Sequence, residues 1–488
     1  MSNSKPMGTS DDWLATTQHT RKVDSSSHYQ GAVYEQMTEL DYMYVEEMAD
    51  FNVDDSYRLD RRDLISMADF FEGLTQLATI GVVEITDIVE AIHREILLRP
   101  LGRFNEGHLN KWQRSITGRL YGTIRTIMSV VGNNLTLSLK LYNHIRSPRD
   151  VKPLPQSLRR LVSVLNGVMG DHLVSHHNPL AVSMLLYDSN GQLQRGEISG
   201  RIIILCHGLC LSHLSWGVSK IGNLGKEIRR SQPQSTVLYL NYNTGQRIST
   251  NGRDLSKVLQ ALLNDNPDIT QIDLIGHSMG GLVARSALFY GREQGFSWIK
   301  RVGNLITLGS PHQGASLERI GNFVHERIAK LPFAGALAKL GNLRSAGIID
   351  LRYGSIYEAD WKSLTNRSVV PADFRHPTRL PLHVRTYLVA ATLVEGHYES
   401  KATSLLGDGL VTIESALGEH TGEHALAVPE AHKAVFYGVS HINLMYSKRV
   451  CKQVAAWLLD NGQSDDGQGG VSLDSRINSY PSDLSVML

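Results

Sequence analysis

The amino-acid sequence predicts an α/β protein in which a mostly parallel sheet is covered by helices. Beyond residue 180, seven short apolar runs rich in β-forming residues alternate with helical patterns, which is typical of a parallel sheet. Several of these runs are almost continuous Val, Ile and Leu, as expected for strands covered on both faces. The predicted strands are 183–188, 201–206, 236–242, 271–276, 304–309, 384–392 and 434–439.

The region before the predicted sheet has a helical pattern. Apolar residues form one stripe at helical spacing in each of three stretches, 85–96, 120–131 and 158–168. Such stripes are usually buried, so we expect residues 61–178 to form a helical region that packs on the domain containing the sheet. Residues 1–60 contain twelve acidic and four basic side chains, and we expect an acidic, largely flexible head there.

The domain containing the sheet is predicted to span residues 179–462. Its fifth and sixth strands are separated by a long gap, 310–383, which contains helical and irregular sequence. We interpret this gap as a cap or lid insertion, because such a segment can close a binding site against water. The Ser-rich polar stretch that follows the domain, 463–488, is predicted to be a disordered tail.

The composition excludes several classes of protein. The chain has 488 residues with 49 basic and 48 acidic side chains, a balance that argues against a dedicated nucleic-acid binder. Hydrophobic residues make up 42%, enough for a sizeable core, and three cysteines are too few for a disulfide framework. The N-terminal sequence lacks the apolar segment of a signal peptide, and no run of about 18 apolar residues occurs. We therefore expect a soluble, cytoplasmic protein, with peripheral contact at a membrane as an alternative.

The strongest local motif is Gly276-His277-Ser278-Met279-Gly280, a G-x-S-x-G sequence. It follows an apolar predicted strand and precedes a helical pattern, which is the strand–turn–helix context in which this motif carries a nucleophilic serine. The sharp turn projects the serine hydroxyl from the C-terminal edge of the sheet, and glycines relieve crowding where the strand meets the helix. The sequence therefore predicts Ser278 as a nucleophile.

A serine nucleophile needs a general base and an acid that orients the base. In this architecture the chain order is serine, acid, histidine. His441 directly follows the last predicted strand, where a loop can direct an imidazole towards Ser278. Asp408 lies between two glycines after the sixth strand and is the candidate acid, with Glu395 and Glu414 as the nearest alternatives.

The oxyanion hole is expected to use two backbone amides. One is the amide of Met279, which follows the nucleophile, and the other comes from the loop after the strand 201–206. In that loop His207 and Gly208 precede Leu209, whose amide is the second candidate. A competing interpretation of this stretch is zinc binding, since its thiol and imidazole groups are closely spaced, although not as a paired C-x₂-C motif. Those residues are Cys206, His207, Cys210 and His213.

The chain resembles the lipases and esterases of the α/β-hydrolase fold, in particular a bacterial group similar to the lipase domain of GPI inositol-deacylases. The resemblance covers roughly 180–462 and implies Ser278 as nucleophile, Asp408 as acid and His441 as base. It implies no particular acyl ester, because one fold supports many substrates. The matching stretches are 207–209, 240–255, 275–287, 307–315, 407–411 and 440–444, with 166–173 and 343–355 also similar to the bacterial group.

Together, these observations predict a serine carboxylic-ester hydrolase that requires neither an organic cofactor nor a metal ion. The expected partner is an acyl-ester substrate, lipid esters included, and not a nucleic acid. The same groups can also transfer an acyl group to an alcohol or cleave a thioester, and the sequence does not separate these reactions. A non-catalytic interaction scaffold is the alternative from another functional class. The sequence does not indicate the oligomeric state.

Overall fold

A seven-stranded sheet runs through the protein in the computed structural model. The structure describes residues 65–79, 154–217, 223–330, 344–362, 374–395 and 406–459. The strands are β1 (Leu185–Tyr187), β2 (Gly200–Cys206), β3 (Thr236–Asn241), β4 (Ile269–His277), β5 (Val302–Leu308), β6 (Arg385–Thr392) and β7 (Lys433–Tyr437). Their order across the sheet is β1-β3-β2-β4-β5-β6-β7. Only the pair β1 and β3 is antiparallel, so the predicted mostly parallel sheet is confirmed.

Helices connect the strands and cover the sheet. The α-helices of the described residues are α1 (Met67–Thr79), α2 (Gln156–Ser175), α3 (Leu224–Ser231), α4 (Ile248–Asp265), α5 (Met279–Glu293), α6 (Leu317–Ala329), α7 (Ala346–Tyr353), α8 (Glu358–Lys362), α9 (Ile413–Ala416) and α10 (Lys448–Leu459). None of the helices described is both long enough and apolar enough to cross a membrane.

Both faces of the sheet are buried. Along β2 the side chains of Ile202 and Ile204 belong to one apolar cluster, whereas Ile203 and Leu205 belong to a second cluster on the opposite face. This alternation follows from the two-residue period of a strand. The first cluster includes residues of α2, α4, α5 and α6, and the second includes residues of α3 and α10. Continuous runs of Val, Ile and Leu form these strands because neither face meets water.

The N-terminal helical region contributes to the same core. The apolar stripe predicted at 158–168 lies in α2, and its members are buried in the first cluster together with Phe70, Leu74 and Leu77 of α1. The predicted stripes at 85–96 and 120–131 lie outside the described residues, as do the predicted acidic head and polar tail. Within the described chain, α1 and α2 pack as part of the same core as the sheet, and the proposed domain boundaries stay predictions.

Helix α2 approaches two loops at the C-terminal edge of the sheet through glycines. A Cβ atom on Gly167 would lie 2.2 Å from Sγ of Cys210, and one on Gly170 would lie 1.8 Å from Oδ1 of Asn243. The Asn243 side chain donates to the carbonyl of Gly170 over 3.0 Å and accepts from the amide of Gly245 over 3.0 Å. The helix therefore contacts these loops at a separation that only glycine permits.

We expect Gly170→Ala to destabilise the protein by about 1–3 kcal/mol, the usual cost of overpacking a core, because the new methyl group would displace Asn243. Urea unfolding followed by circular dichroism measures this loss as a lower midpoint. Gly321→Ala in α6 is the matched control, since its Cβ atom would meet no described atom closer than 3.6 Å. That change should raise stability slightly, by about 0.5–1 kcal/mol. Equal midpoints for the wild type and Gly170→Ala would contradict the tight docking of α2.

Candidate active site

Ser278 occupies the sharp turn between β4 and α5. Its backbone has φ 55° and ψ −125°, a strained conformation that a non-glycine residue adopts rarely and that is typical of a nucleophile in this motif. A Cβ atom on Gly276 would lie 2.2 Å from the amide nitrogen of Gly281, and one on Gly280 would lie 2.3 Å from the carbonyl oxygen of Cys206. Both glycines are therefore required by the close passage of backbone around Ser278.

His441 and Asp408 form a buried hydrogen-bonded pair. Nδ1 of His441 lies 2.8 Å from Oδ2 of Asp408, and the amide of His441 donates to the carbonyl of Asp408 over 2.9 Å. The other carboxylate oxygen accepts from the amides of Leu410 (3.0 Å) and Val411 (2.8 Å). Because the carboxylate accepts at Nδ1, that nitrogen carries the proton and Nε2 is the basic nitrogen.

The carboxylate that contacts His441 belongs to Asp408, the candidate acid, and not to the alternatives Glu395 or Glu414. Its position depends on Gly309, which follows β5 in a left-handed conformation with φ 59°. A Cβ atom there would lie 2.9 Å from Oδ2 of Asp408 and 3.3 Å from Nδ1 of His441. A side chain at Gly309 would therefore separate the pair.

The two atoms that would exchange a proton are both buried without a partner. Oγ of Ser278 and Nε2 of His441 make no hydrogen bond with any described residue, including each other. Catalytic hydrogen bonds are often long in the absence of substrate and tighten when it binds. His277, the neighbour of Ser278 in the chain, places its ring centroid 4.7 Å from that of His441, so the serine turn and the histidine loop adjoin each other.

His277 links the serine turn to the histidine loop. Its Nε2 lies 2.9 Å from the carbonyl oxygen of His441, and a carbonyl can only accept, so Nε2 carries the proton. Burial, and next the proximity of His441, lower the pKa of His277 well below its usual value. The imidazole is therefore neutral at neutral pH, and it holds the backbone of His441. The sequence predicted His277 only as part of the motif around Ser278.

The turn after β2, which contains the predicted oxyanion residue Leu209, lies beside Ser278. A Cβ atom on Gly208 would lie 2.9 Å from Cβ of Ser278, so this turn touches the predicted nucleophile. Leu209 and Met279 are both fully buried, and their amides donate no hydrogen bond to another described residue. Two unpaired amides at this position suit an oxygen that gains negative charge.

Residues of the stretch 240–255 hold this turn in place. The hydroxyl of Tyr242 donates to the carbonyl of His207 over 2.7 Å, and the two rings stack with centroids 4.4 Å apart. Cys210 adopts a left-handed conformation with φ 58°, and its amide donates to Oγ1 of Thr244 over 3.2 Å. The sequence did not predict that Tyr242 and Thr244 hold this turn, because the only indication was the resemblance of this stretch to known hydrolases.

The four residues considered for zinc make separate contacts. Cys206 ends β2 in the core, and Cys210 contacts α2 through a 4.0 Å approach of Sγ to the carbonyl of Val164. Burial raises the pKa of both thiols to about 12. His213 stacks on Tyr187 with centroids 3.8 Å apart. Among the residues that the structure describes, no three His, Cys, Asp or Glu side chains converge on a metal position.

His312 anchors the loop that follows β5. Its Nε2 lies 3.1 Å from Oγ1 of Thr307, its Nδ1 lies 3.1 Å from Nη1 of Arg285, and Arg375 donates to its carbonyl over 3.0 Å. Burial, and next the guanidinium of Arg285, lower the pKa of His312 well below its usual value. This buried network stabilises the loop whose Gly309 lies against the acid–base pair.

The predicted insertion covers the site in this structure. Phe323 of α6 places its ring edge-to-face against His441, with centroids 5.7 Å apart, and Ser278 is only 1% exposed. Helix α7 of the same insertion is anchored by a 2.8 Å ion pair between Arg247 and Asp350 that is almost fully buried. Among the described residues of 310–383, α6 thus packs against His441 through Phe323, and the role of the insertion as a cap or lid stays a prediction.

The sheet order, the single antiparallel edge strand β1 and the serine turn after β4 together define the α/β-hydrolase fold. A family model described as the PGAP1-like alpha/beta domain matches residues 197–460, which is more than half of the 488 residues. The chain belongs to the PGAP1-like alpha/beta domain family. The fold and the family resemblance expected from the sequence are confirmed.

Solved structures similar to this chain include lipases and esterases. The mature lipase BlEst2 from Bacillus licheniformis is 19% identical, with a TM-score of 0.36, and the match covers 57% of this chain and 98% of the lipase. A thermophilic esterase from Thermogutta terrifontis is 16% identical, with a TM-score of 0.32, covering 57% and 93%. Carboxylesterase CesB from Bacillus subtilis is 12% identical, with a TM-score of 0.32, covering 62% and 97%. No curated protein matches the chain in sequence.

Proposed function

We propose that the protein is a serine carboxylic-ester hydrolase with Ser278 as nucleophile, His441 as general base and Asp408 as the acid that orients it. The observation that carries this proposal is the 2.8 Å bond between Nδ1 of His441 and Asp408, which leaves Nε2 without a partner among the described residues. A buried basic nitrogen beside a strained serine turn suits the activation of a hydroxyl.

The reaction would proceed through an acyl-enzyme. Nε2 of His441 accepts the proton as Oγ of Ser278 attacks the ester carbonyl, and Asp408 stabilises the imidazolium that forms. The amides of Leu209 and Met279 would hold the negatively charged oxygen of the tetrahedral intermediate. His441 then returns the proton to the leaving alcohol, and water releases the acid in a second cycle of the same steps. The substrate class is an acyl ester, lipid esters included.

A fluorophosphonate probe tests this proposal directly, because it forms a covalent bond only with an activated serine. We expect labelling of the purified protein at Ser278, located by peptide mass spectrometry, and turnover of p-nitrophenyl esters of graded chain length. Ser278→Ala should lose both. Ser310→Ala is the matched control, since Ser310 is also fully buried after a strand and its Oγ has no partner in the described chain.

Each result has a distinct meaning for the proposal. Labelling and turnover that survive Ser278→Ala would refute Ser278 as the nucleophile. Their absence from the wild-type protein would favour a non-catalytic scaffold. Turnover that yields a new ester when an alcohol is added would assign acyl transfer, and preference for thioesters would assign thioester cleavage to the same triad.

A further inference from the structure

Three arginines of α2 and α6 form no ion pair with any residue that the structure describes. Arg159 ends the first turn of α2 and Arg160 begins the second, and Arg327 lies in the last turn of α6. None of their guanidinium groups makes an ion pair or a hydrogen bond with a described residue, and the Nε atom of Arg159 is buried without a partner. Arginines at the surface of a folded protein are usually solvated, but a buried guanidinium nitrogen normally finds an acceptor.

Arg327 is connected to the catalytic histidine through one aromatic ring. Its guanidinium carbon lies 5.7 Å from the ring centroid of Phe323, and that ring lies 5.7 Å from the ring of His441. Phe323 is almost fully buried and Arg327 is half-buried. The guanidinium therefore lies at the margin of the site, on the helix that packs against His441.

The arginines of α2 reach the opposite side of the same site. Val164 of α2 contacts Cys210 through its carbonyl at 4.0 Å, and Cys210 directly follows the oxyanion candidate Leu209. Arg160 precedes Val164 by four residues, so it lies one turn away on the same helix face. Helices α2 and α6 pack against each other, and Arg160 and Arg327 both act on the hydroxyl of Tyr446, which places them at one rim.

The positive charges of these arginines act on the pKa values of two groups at the rim. Burial raises the pKa of Tyr446, and Arg327 and Arg160 both act to lower it. Burial raises the pKa of Cys210 to about 12, although the charge of Arg327 acts to lower this pKa. The carboxylate nearest in sequence to Arg327 is Glu326, but Glu326 is bonded to Lys330. Asp408, the acid of the site, is already engaged by His441 and two amides.

Local stability does not account for Arg159 of α2. The N-terminus of a helix carries partial positive charge, so cations in its first turn are disfavoured. The first turn of α2 contains no acidic residue to offset this cation. Arg327, by contrast, lies at a helix C-terminus where a cation is favoured, and the carboxylate that acts on it, Glu326, is itself bonded to Lys330. A rim with two guanidinium groups that form no ion pair with a described residue attracts anions.

We propose that the preferred ester carries a second, anionic group, a carboxylate or a phosphate, which Arg327 binds with the help of Arg160. The planar guanidinium suits both groups, because each presents two oxygens that accept hydrogen bonds in parallel. This inference rests on the proposed hydrolase function and defines its substrate class more narrowly.

Two pairs of esters test the inference. The carboxylate pair is p-nitrophenyl pentanoate and p-nitrophenyl hydrogen glutarate, and the phosphate pair is butyrylglycerol and butyrylglycerol phosphate. We expect kcat/KM to favour the charged member of at least one pair by about 10-fold or more, the effect of one charge-assisted hydrogen bond. The pair that shows this preference identifies the anion. Added salt should reduce the preference.

The variant Arg327→Gln should remove most of this preference by raising KM for the charged ester, while kcat/KM for the neutral ester changes less than about two-fold. Arg327→Lys should retain part of it, because the charge remains without the planar fork. Arg292→Gln is the matched control, since Arg292 occupies the last turn of α5 and lies over the ring of a different phenylalanine, Phe289, and it should leave the preference unchanged.

A second measurement does not depend on turnover. Each ester is used to protect Ser278 from the fluorophosphonate probe, and the charged member of the preferred pair should protect at a lower concentration. Equal turnover and equal protection within both pairs would overturn the anionic substrate class while leaving the hydrolase proposal intact. A preference that persists in the double variant R160Q/R327Q would also overturn it. Absence of any labelling would instead refute the hydrolase function itself.

Discussion

Replacing Asp408 by asparagine is expected to lower kcat for ester hydrolysis by about 10⁴-fold, the loss seen when the acid of such a triad is made neutral. In the native protein the carboxylate accepts a hydrogen bond from Nδ1 of His441 over 2.8 Å. An asparagine amide can donate to Nδ1 instead, which would leave the proton on Nε2. The histidine would then present a donor, not a base, to Ser278.

Steady-state kinetics on p-nitrophenyl esters measure this loss, and urea unfolding checks that the fold is retained. The asparagine Oδ1 can still accept from the amides of Leu410 and Val411, so we expect the loop to keep its conformation. Glu395→Gln and Glu414→Gln serve as matched charge-neutralising controls and should stay within a few-fold of the wild type. A similar loss in either control, or activity of Asp408→Asn within ten-fold of the wild type, would reject Asp408 as the acid.

His277→Asn is expected to lower kcat by about 100-fold, because a displacement of roughly 1 Å between reacting groups has an effect of that size. The Nε2–H of His277 holds the carbonyl of His441 over 2.9 Å. The amide nitrogen of asparagine reaches only as far as Nδ1 of histidine and would leave that carbonyl without its donor. Glutamine extends one carbon further, to the position of Nε2, and should restore much of the activity.

The comparison of His277→Asn with His277→Gln separates a positioning role from a structural one. Loss of positioning should reduce kcat and the rate of fluorophosphonate labelling, with a small change in KM. Both variants lose the same ring packing against His441 and Trp216, so a purely structural role would affect them equally. Equal activity of the two variants would therefore contradict the positioning role.

The strands were predictable because their pattern is local. Ile202 to Leu205 are apolar in continuous sequence, and they occupy alternate faces of a sheet that is covered on both sides. The short edge strand β1 was predicted at 183–188 and is observed at Leu185–Tyr187. Its antiparallel pairing with β3 could not be inferred, because pairing depends on contacts between distant segments and not on the composition of either strand.

The candidate residues Ser278, Asp408 and His441 were also predictable, since each follows a strand in a fixed chain order and stands beside turn-forming glycines. The residues that hold these side chains in position were not predictable. Gly309 contacts the acid–base pair, and Phe323 covers it. Glycine and phenylalanine are common residue types, and nothing in their neighbourhood along the chain indicates which distant side chain they will meet.

The sequence by itself determined the hydrolase class, the parallel sheet and the three candidate catalytic residues, because local periodicity and a strained motif encode them. Only the tertiary structure decided that His277 holds the carbonyl of His441, that glycines of α2 dock beside the turn after β2, and that Arg160 and Arg327 both approach Tyr446. Each of these depends on short distances between residues far apart in the chain. Such distances are set by the packing of the whole core, which no local pattern specifies.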